Sequence, residues 1–127
     1  KKYIINKKLI NKVKIFNKLS SAKELYKKAD LFVLTSLYEG FGNVLVEAGI
    51  FKIPIISTNC KSGPSEILKN GRYGDLVKIN DYKTLSKKIV HNLKNPNKVK
   101  INRMYNSLKR FNLKKNIYQY EKLFEKI

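Results

Sequence analysis

The sequence predicts an α/β fold built on a partial Rossmann-like parallel sheet, followed by C-terminal helices. Three observations predict it. Residues Leu31–Glu66 run in the order apolar run, glycine loop, short helix, apolar run, glycine-proline loop. Two parallel strands and their crossover helix require this order. The second apolar run, Pro54-Ile55-Ile56-Ser57-Thr58, is headed by a proline, which can open a strand but not sit inside one. Both glycine loops follow apolar runs, so they fall at the carboxyl ends of strands and share the rim where open parallel sheets bind ligands.

The elements follow in chain order. Lys1–Asn11 reads as the tail of a helix with Tyr3, Ile4 and Leu9 turned inward. Val13–Phe16 alternates as a short strand. Ser21-Ala22-Lys23-Glu24 reads as a capping box, with Ser21 as N-cap and Glu24 reaching back, and opens a helix over Ala22–Lys28. Leu31–Ser36 is rich in strand formers, and Val44–Phe51 is helix-compatible. Pro64–Leu68 forms a short helix and Asn70-Gly71 a turn. Asp75–Ile79 is the last strand, so strands are expected near 13–16, 31–36, 54–58 and 75–79. Asp81 caps a helix in which Leu85, Ile89 and Leu93 recur on one face, and Asn95-Pro96 ends it. Val99–Arg110 and Leu113–Ile127 read as two more helices. The last carries an apolar stripe of Ile117, Tyr120, Phe124 and Ile127.

The rim has a physical reading of its own. Gly40 and Gly42 let the backbone turn sharply and let a ligand approach the main chain. A helix starting at about Gly42–Val44 presents amides with no partner inside the helix, and its dipole favours an anion such as a diphosphate. Glu39 lies just before that amide cluster and Glu47 about one turn into the helix. One carboxylate can face a sugar while the other accepts hydrogen bonds from ribose hydroxyls. Gly63-Pro64 repeats the device at the second loop. The glycines alone fit more readily a tight strand-to-helix turn with two surface glutamates.

The segment Glu39-Gly40-Phe41-Gly42-Asn43-Val44-Leu45-Val46-Glu47-Ala48 resembles the E-x7-E motif of family 4 retaining glycosyltransferases, which have the GT-B fold. Its flanks match too. Ala29–Ser36 resembles the family's A-D-x-F-V-x-P-S strand, and Lys52–Asn59 its G-x-P-V-I-x-T-D. Ser62–Leu68 resembles the G-P-x-E-I-L of members that build surface polysaccharides and glycolipids, and Gly71–Val77 the G-x-x-G-x-L-V. The ordered match runs from about Val13 to Leu85.

The resemblance implies a nucleotide-diphosphate sugar as substrate and no separate cofactor. Glu39 would be the catalytic carboxylate, contacting the donor sugar and stabilising charge as the glycosidic bond breaks. Glu47 would hold the ribose. Gly40, Phe41, Gly42, Asn43 and Val44 would line the sugar and diphosphate, and Ser62, Gly63 and Pro64 would complete the anion site. A glycan or lipid-linked acceptor is implied for polysaccharide or lipopolysaccharide biosynthesis. Thr35 stands where the family has proline, and Lys52 where it has glycine. A lysine there must either go left-handed or end the helix differently.

The resemblance also implies parts outside this sequence. In the family, two strands precede the Val13 strand, the first followed by a basic pair that grips the diphosphate, and a whole acceptor-binding domain lies further upstream. Residues 1–110 are therefore expected to be a truncated nucleotide-sugar-binding domain and 111–127 a C-terminal helix. The chain is expected to be the donor-binding part of a larger enzyme and inactive alone.

Composition narrows the alternatives. At 127 residues the chain is about one domain, and 43% hydrophobic residues suffice for a core. No apolar run approaches the roughly 20 residues of a membrane span. The single cysteine, Cys60, fits a reducing cytoplasm. The net charge of +19 suits an anionic partner, and contact with an anionic cytoplasmic membrane face is one expectation. Nucleic acid is not expected. Nearly all the basic residues are lysine, and the eight tyrosines are not interleaved with arginine. The rival readings are a non-catalytic nucleotide-binding fragment and a lysine-rich nucleic-acid-binding protein. His91 is the only histidine, with no carboxylate near it in sequence, which disfavours a Ser-His-Asp triad and a histidine metal site. Asp30, Asp75 and Asp81 lie far apart, so there is no D-x-D pair, and no metal site is expected.

Overall fold

A computed structural model of the chain describes residues 2–18 and 21–112. Helices α1 (Lys2–Asn6) and α2 (Lys23–Lys28) lead into β1 (Phe32–Leu34). Then follow α3 (Asn43–Ile50), β2 (Ile55–Thr58), α4 (Pro64–Ile67), β3 (Asp75–Val77), α5 (Tyr82–Lys94) and α6 (Lys98–Ser107), closed by a 3₁₀ turn over Leu108–Phe111. The expected helix Leu113–Ile127, with its stripe of Ile117, Tyr120, Phe124 and Ile127, lies outside the described residues.

The three strands form one parallel sheet in the order β1-β2-β3. Phe32 is opposite Ile55, and Ile56 is opposite Asp75. All four β2 residues are buried, as a central parallel strand covered on both faces should be. The two polar ones are satisfied. Ser57 Oγ donates to the Thr58 carbonyl at 3.0 Å, and Thr58 Oγ1 donates to the Ser36 carbonyl at 2.6 Å. The core gathers Leu45, Ala48, Ile53, Ile55, Ile67, Leu68 and Met104. Gly49 lets α6 approach α3, because a Cβ there would lie 2.8 Å from Met104 Cε.

The end of α3 resolves the Lys52 question. Lys52 adopts φ +54°, its N–H bonds the Gly49 carbonyl at 3.1 Å, and the Ile53 N–H bonds the Ala48 carbonyl at 3.3 Å. This pair of bonds is a Schellman stop. The lysine takes the left-handed position usually given to glycine, and its Nζ sits 4.3 Å from the Tyr105 ring centroid. The Asp81 cap forms as expected, accepting from the Thr84 N–H at 3.0 Å.

Four expectations fail. Val13–Phe16 forms no strand, and Val13, Ile15 and Phe16 are 38%, 50% and 54% exposed. A strand is stable only in a ladder, and among the described residues the sheet has no strand beside the outer edge of β1. The capping box does not close. Lys23 N–H bonds Ser21 Oγ at 3.2 Å, but Glu24 turns to Lys27 at 2.8 Å instead of reaching back. Tyr3 points outward rather than into a core. On α5 the buried face is led by Asn92, whose amide bonds Asp75, while Leu93 is exposed. The i, i+4, i+8 pattern drifts round the helix, so Leu93 leaves the face that Leu85 and Ile89 share.

Candidate functional site

Two loops meet at the carboxyl ends of β1 and β2. Three contacts join them. Thr58 Oγ1 ties the end of β2 to Ser36, just beyond β1. Tyr38 and Lys61 form a parallel bridge one step further out. Gly63 then lies flat against the backbone of Phe41. A Cβ on Gly63 would fall 2.1 Å from the Phe41 carbonyl oxygen. Gly63 has φ +74° and ψ −75°, a region L side chains avoid. This glycine is required twice, by dihedral and by contact.

Gly42 is the N-cap of α3 with φ +89° and ψ +49°. Its left-handed conformation turns the chain directly into the helix, and its carbonyl accepts from Leu45 N–H at 2.9 Å. Asn43 and Val44 open the helix, and their amides have no acceptor within it. Gly40 differs. Its φ is not positive, and a Cβ there would meet nothing within 4 Å. The folded chain therefore does not require glycine at this position. Phe41 packs edge-on against Phe111, with ring centroids 5.4 Å apart. Pro64 is buried at the first position of α4. Ser62 is exposed with φ +65°.

The two carboxylates have separate partners. Ser36 Oγ donates to Glu39 Oε1 at 2.5 Å. Tyr26 Oη, on α2, donates to Glu47 Oε2 at 3.0 Å. Tyr26 is only 7% exposed, stacked 5.5 Å from Phe51 and tilted 5.7 Å from Phe32. Its burial, and then its bond to the negative Glu47, push its hydroxyl pKa up to about 12. Beside it opens a cavity of about 360 Å³ lined by Ser21, Ala22, Lys23, Tyr26, Glu47, Ile50 and Phe51. Glu39 does not line it. The structure thus brings the two glycine loops together, and hangs Glu39 and Glu47 on different neighbours before and after the α3 N-terminus.

Sequence reasoning gave no role to Ser36 or Tyr26. Ser36 stood three residues before Glu39, a spacing that allows a local hydrogen bond. Tyr26 carried no signal, being one of eight tyrosines and 21 residues from Glu47. Among the described residues no three of His, Cys, Asp and Glu cluster to hold a metal ion. No described helix is long and apolar enough to cross a membrane.

The family model for glycosyl transferases group 1 matches residues 1–111. The chain belongs to this family. A probable sucrose-phosphate synthase of Thermosipho melanesiensis is 43% identical over 82 residues, covering 58% of this chain and 19% of that protein. The amylovoran biosynthesis glycosyltransferase AmsD of Erwinia amylovora is 35% identical over 74 residues, covering 51% and 21%. Among solved structures, a glycosyltransferase of Rickettsia africae superposes with TM-score 0.84 at 27% identity, covering 97% of this chain and 35% of that one. Anabaena HepE, solved in complex with UDP-glucose, superposes with TM-score 0.85 at 22% identity, covering 99% and 35%. This chain therefore spans about a fifth of these two sequence relatives and about a third of these two solved chains. Its three-stranded sheet and helices correspond to the C-terminal portion of GT-B glycosyltransferases.

Proposed function

We propose that this group 1 glycosyltransferase chain is the donor-binding part of a retaining, metal-independent enzyme using a nucleoside diphosphate sugar. The contact between Gly63 and the Phe41 carbonyl carries the reading. It sets the first turn of α3 beside Ser62–Pro64, so amides of both loops can hold one diphosphate. When the bond from the anomeric carbon to the diphosphate breaks, its electron pair leaves with the diphosphate. Fixed amide dipoles then stabilise the growing negative charge without a metal ion. Glu39 supplies the opposite charge on the sugar side, where the anomeric centre becomes positive. Glu47 accepts from the ribose hydroxyls.

Further features belong to the same reading. Residues 1–110 carry the nucleotide. The acceptor is a glycan or a lipid-linked glycan, supported by likeness to relatives such as the amylovoran and capsular polysaccharide glycosyltransferases. The work is done in the cytoplasm, at an anionic membrane face that the lysine-rich surface would favour. The chain alone binds donor nucleotide and transfers no sugar.

Isothermal titration of the 127-residue chain with UDP, GDP and ADP tests the reading. One of the three is expected to bind, and Glu47→Ala to weaken it about tenfold, the loss of a charge-assisted hydrogen bond. Failure of all three to bind overturns it. Sugar transfer by the isolated chain overturns the statement that it is inactive alone. RNA binding with a steep salt dependence, indifferent to Glu47→Ala, would point instead to the lysines.

A further inference from the structure

The chain holds a tyrosine that serves no evident purpose in the core. Tyr26 is buried by Phe32, Phe51 and the underside of α3, where a phenylalanine or leucine would pack as well. Yet its hydroxyl emerges at the wall of the cavity beside α3 and reaches an exposed carboxylate, Glu47 Oε2, at 3.0 Å. A second, weaker approach brings it within 3.5 Å of the Val44 carbonyl, in the first turn of the same helix. A flexible glutamate on a helix surface ordinarily samples several rotamers, and fixing one costs side-chain entropy. A rigid donor rooted in the core offsets that cost before any ligand arrives.

We propose that Tyr26 is a positioning residue that holds the Glu47 carboxylate in the orientation that accepts nucleoside ribose hydroxyls. The inference rests on the ribose role of Glu47 given above and adds the part that aims it. The phenol donates to Oε2. The remaining lone pairs of the carboxylate stay available to a vicinal diol, and the carboxylate keeps its charge. Lysine in place of tyrosine would form an ion pair and compete with the ligand for the same oxygens. Phenylalanine would leave the carboxylate to swing in solvent. Tyr26 touches no sugar atom in this scheme and acts only through Glu47.

The test measures discrimination rather than affinity alone. The tightest binder among UDP, GDP and ADP is titrated against its 2′,3′-dideoxy counterpart, which lacks both ribose hydroxyls. In Tyr26→Phe the diphosphate with an intact ribose is expected to lose on the order of 3- to 10-fold in affinity, while the dideoxy compound binds as in the parent chain. In the Glu47→Ala background the same substitution is expected to have no further effect on either ligand. A purely structural tyrosine would shift both ligands together, and that result overturns the proposal. So does full retention of discrimination in Tyr26→Phe while Glu47→Ala abolishes it, and in that case the ribose role of Glu47 stands. No discrimination by the parent chain overturns the ribose role itself, and the proposal with it. Tyr26→Met lacks the hydroxyl, and its long flexible side chain adapts to the space of the ring, giving the same comparison if the phenylalanine variant loses its native circular dichroism.

Discussion

Gly40 and Gly63 lie in the two loops of the site, and the structure gives alanine opposite consequences at the two positions. At Gly63 the new Cβ would sit 2.1 Å from the Phe41 oxygen and 2.7 Å from its carbonyl carbon, on a residue with φ +74°. Comfortable separations between carbon atoms begin at about 3.5 Å, so the loops must part by roughly an ångström. Overpacking against unyielding backbone costs about 1–3 kcal/mol, and the unfavourable dihedral adds about 1–2 kcal/mol. A loss of about 2–5 kcal/mol corresponds to roughly 10–20 °C in Tm for a chain of this size. At Gly40 nothing lies within 4 Å of the new Cβ and φ is not positive. There alanine removes freedom from the unfolded chain and stabilises by about 0.4–1 kcal/mol. Thermal unfolding followed by circular dichroism reads both. Titration with the bound nucleoside diphosphate sugar then separates fold from function. Gly40→Ala, sound in fold, is expected to lose about tenfold or more in affinity because its methyl occupies the space of the approaching ligand. Gly63→Ala with a Tm within 3 °C of the parent would refute the rigid junction between the loops. Gly40→Ala with undiminished affinity would refute the close approach.

Asp75 gives a pH prediction. Burial pushes its carboxyl up, but hydrogen bonds from Lys100 and Asn92 and the charges of Lys100 and Lys88 outweigh this and hold it below the usual carboxylate range. A depressed folded pKa stabilises above the unfolded value, and the contribution is lost as pH falls through the folded one. Asp75→Asn should therefore cost about 1–3 kcal/mol near neutrality, a gap that closes below about pH 4 in urea titrations. Tyr26 has the opposite sign. Its pKa is raised to about 12, so its contribution is complete below about pH 10 and fades as pH rises toward 12. The stability difference between the parent chain and Tyr26→Phe should narrow over that window. Gly49→Ala meets Met104 Cε at 2.8 Å, a flexible side chain rather than backbone. Helix propensity gained and packing lost nearly cancel, so urea unfolding should place it within about 1 kcal/mol of the parent.

Much of the sheet was legible because its signals are local. Pro54 marks the start of a strand, Gly42 and Gly63 mark turns of positive φ, and β2 reads as an uninterrupted run because it is buried on both faces. Asp81 and the Lys52 alternative were legible for the same reason, since caps are decided within four residues. What failed depends on distant partners. Val13–Phe16 has a strand's alternation, but alternation cannot supply a ladder neighbour. Glu24 had two suitors, the backbone behind it and Lys27 ahead, and the ion pair on the helix surface won. Within the site, the meeting of Gly63 with Phe41 follows from two loops converging at one rim. The Tyr26–Glu47 bond depends on how α2 lies across α3, and no spacing in the sequence encodes that angle.

Both carboxylates of the site are held by neutral hydroxyls. The chain carries a net charge of +19, and 25 of its 28 basic residues are lysine. Two carboxylates take ammonium partners, Glu24 with Lys27 and Asp75 with Lys88 and Lys100. Among the described residues Glu39 and Glu47, like Asp30, Glu66 and Asp81, take part in no ion pair. Glu39 is held instead by Ser36 and Glu47 by Tyr26. A lysine partner would cancel the charge and occupy the acceptor oxygens. A hydroxyl fixes the geometry with one hydrogen bond and leaves the negative charge in place. That combination suits two carboxylates that must accept from sugar and ribose hydroxyls and, on the Glu39 side, face a centre that turns positive. Replacing the Ser36 hydroxyl tests this directly. Ser36→Ala should free Glu39, leaving affinity for the nucleoside diphosphate unchanged while affinity for the diphosphate sugar falls several-fold. An equal loss for both ligands would place Ser36 in the scaffold of the rim rather than in the hold on the sugar.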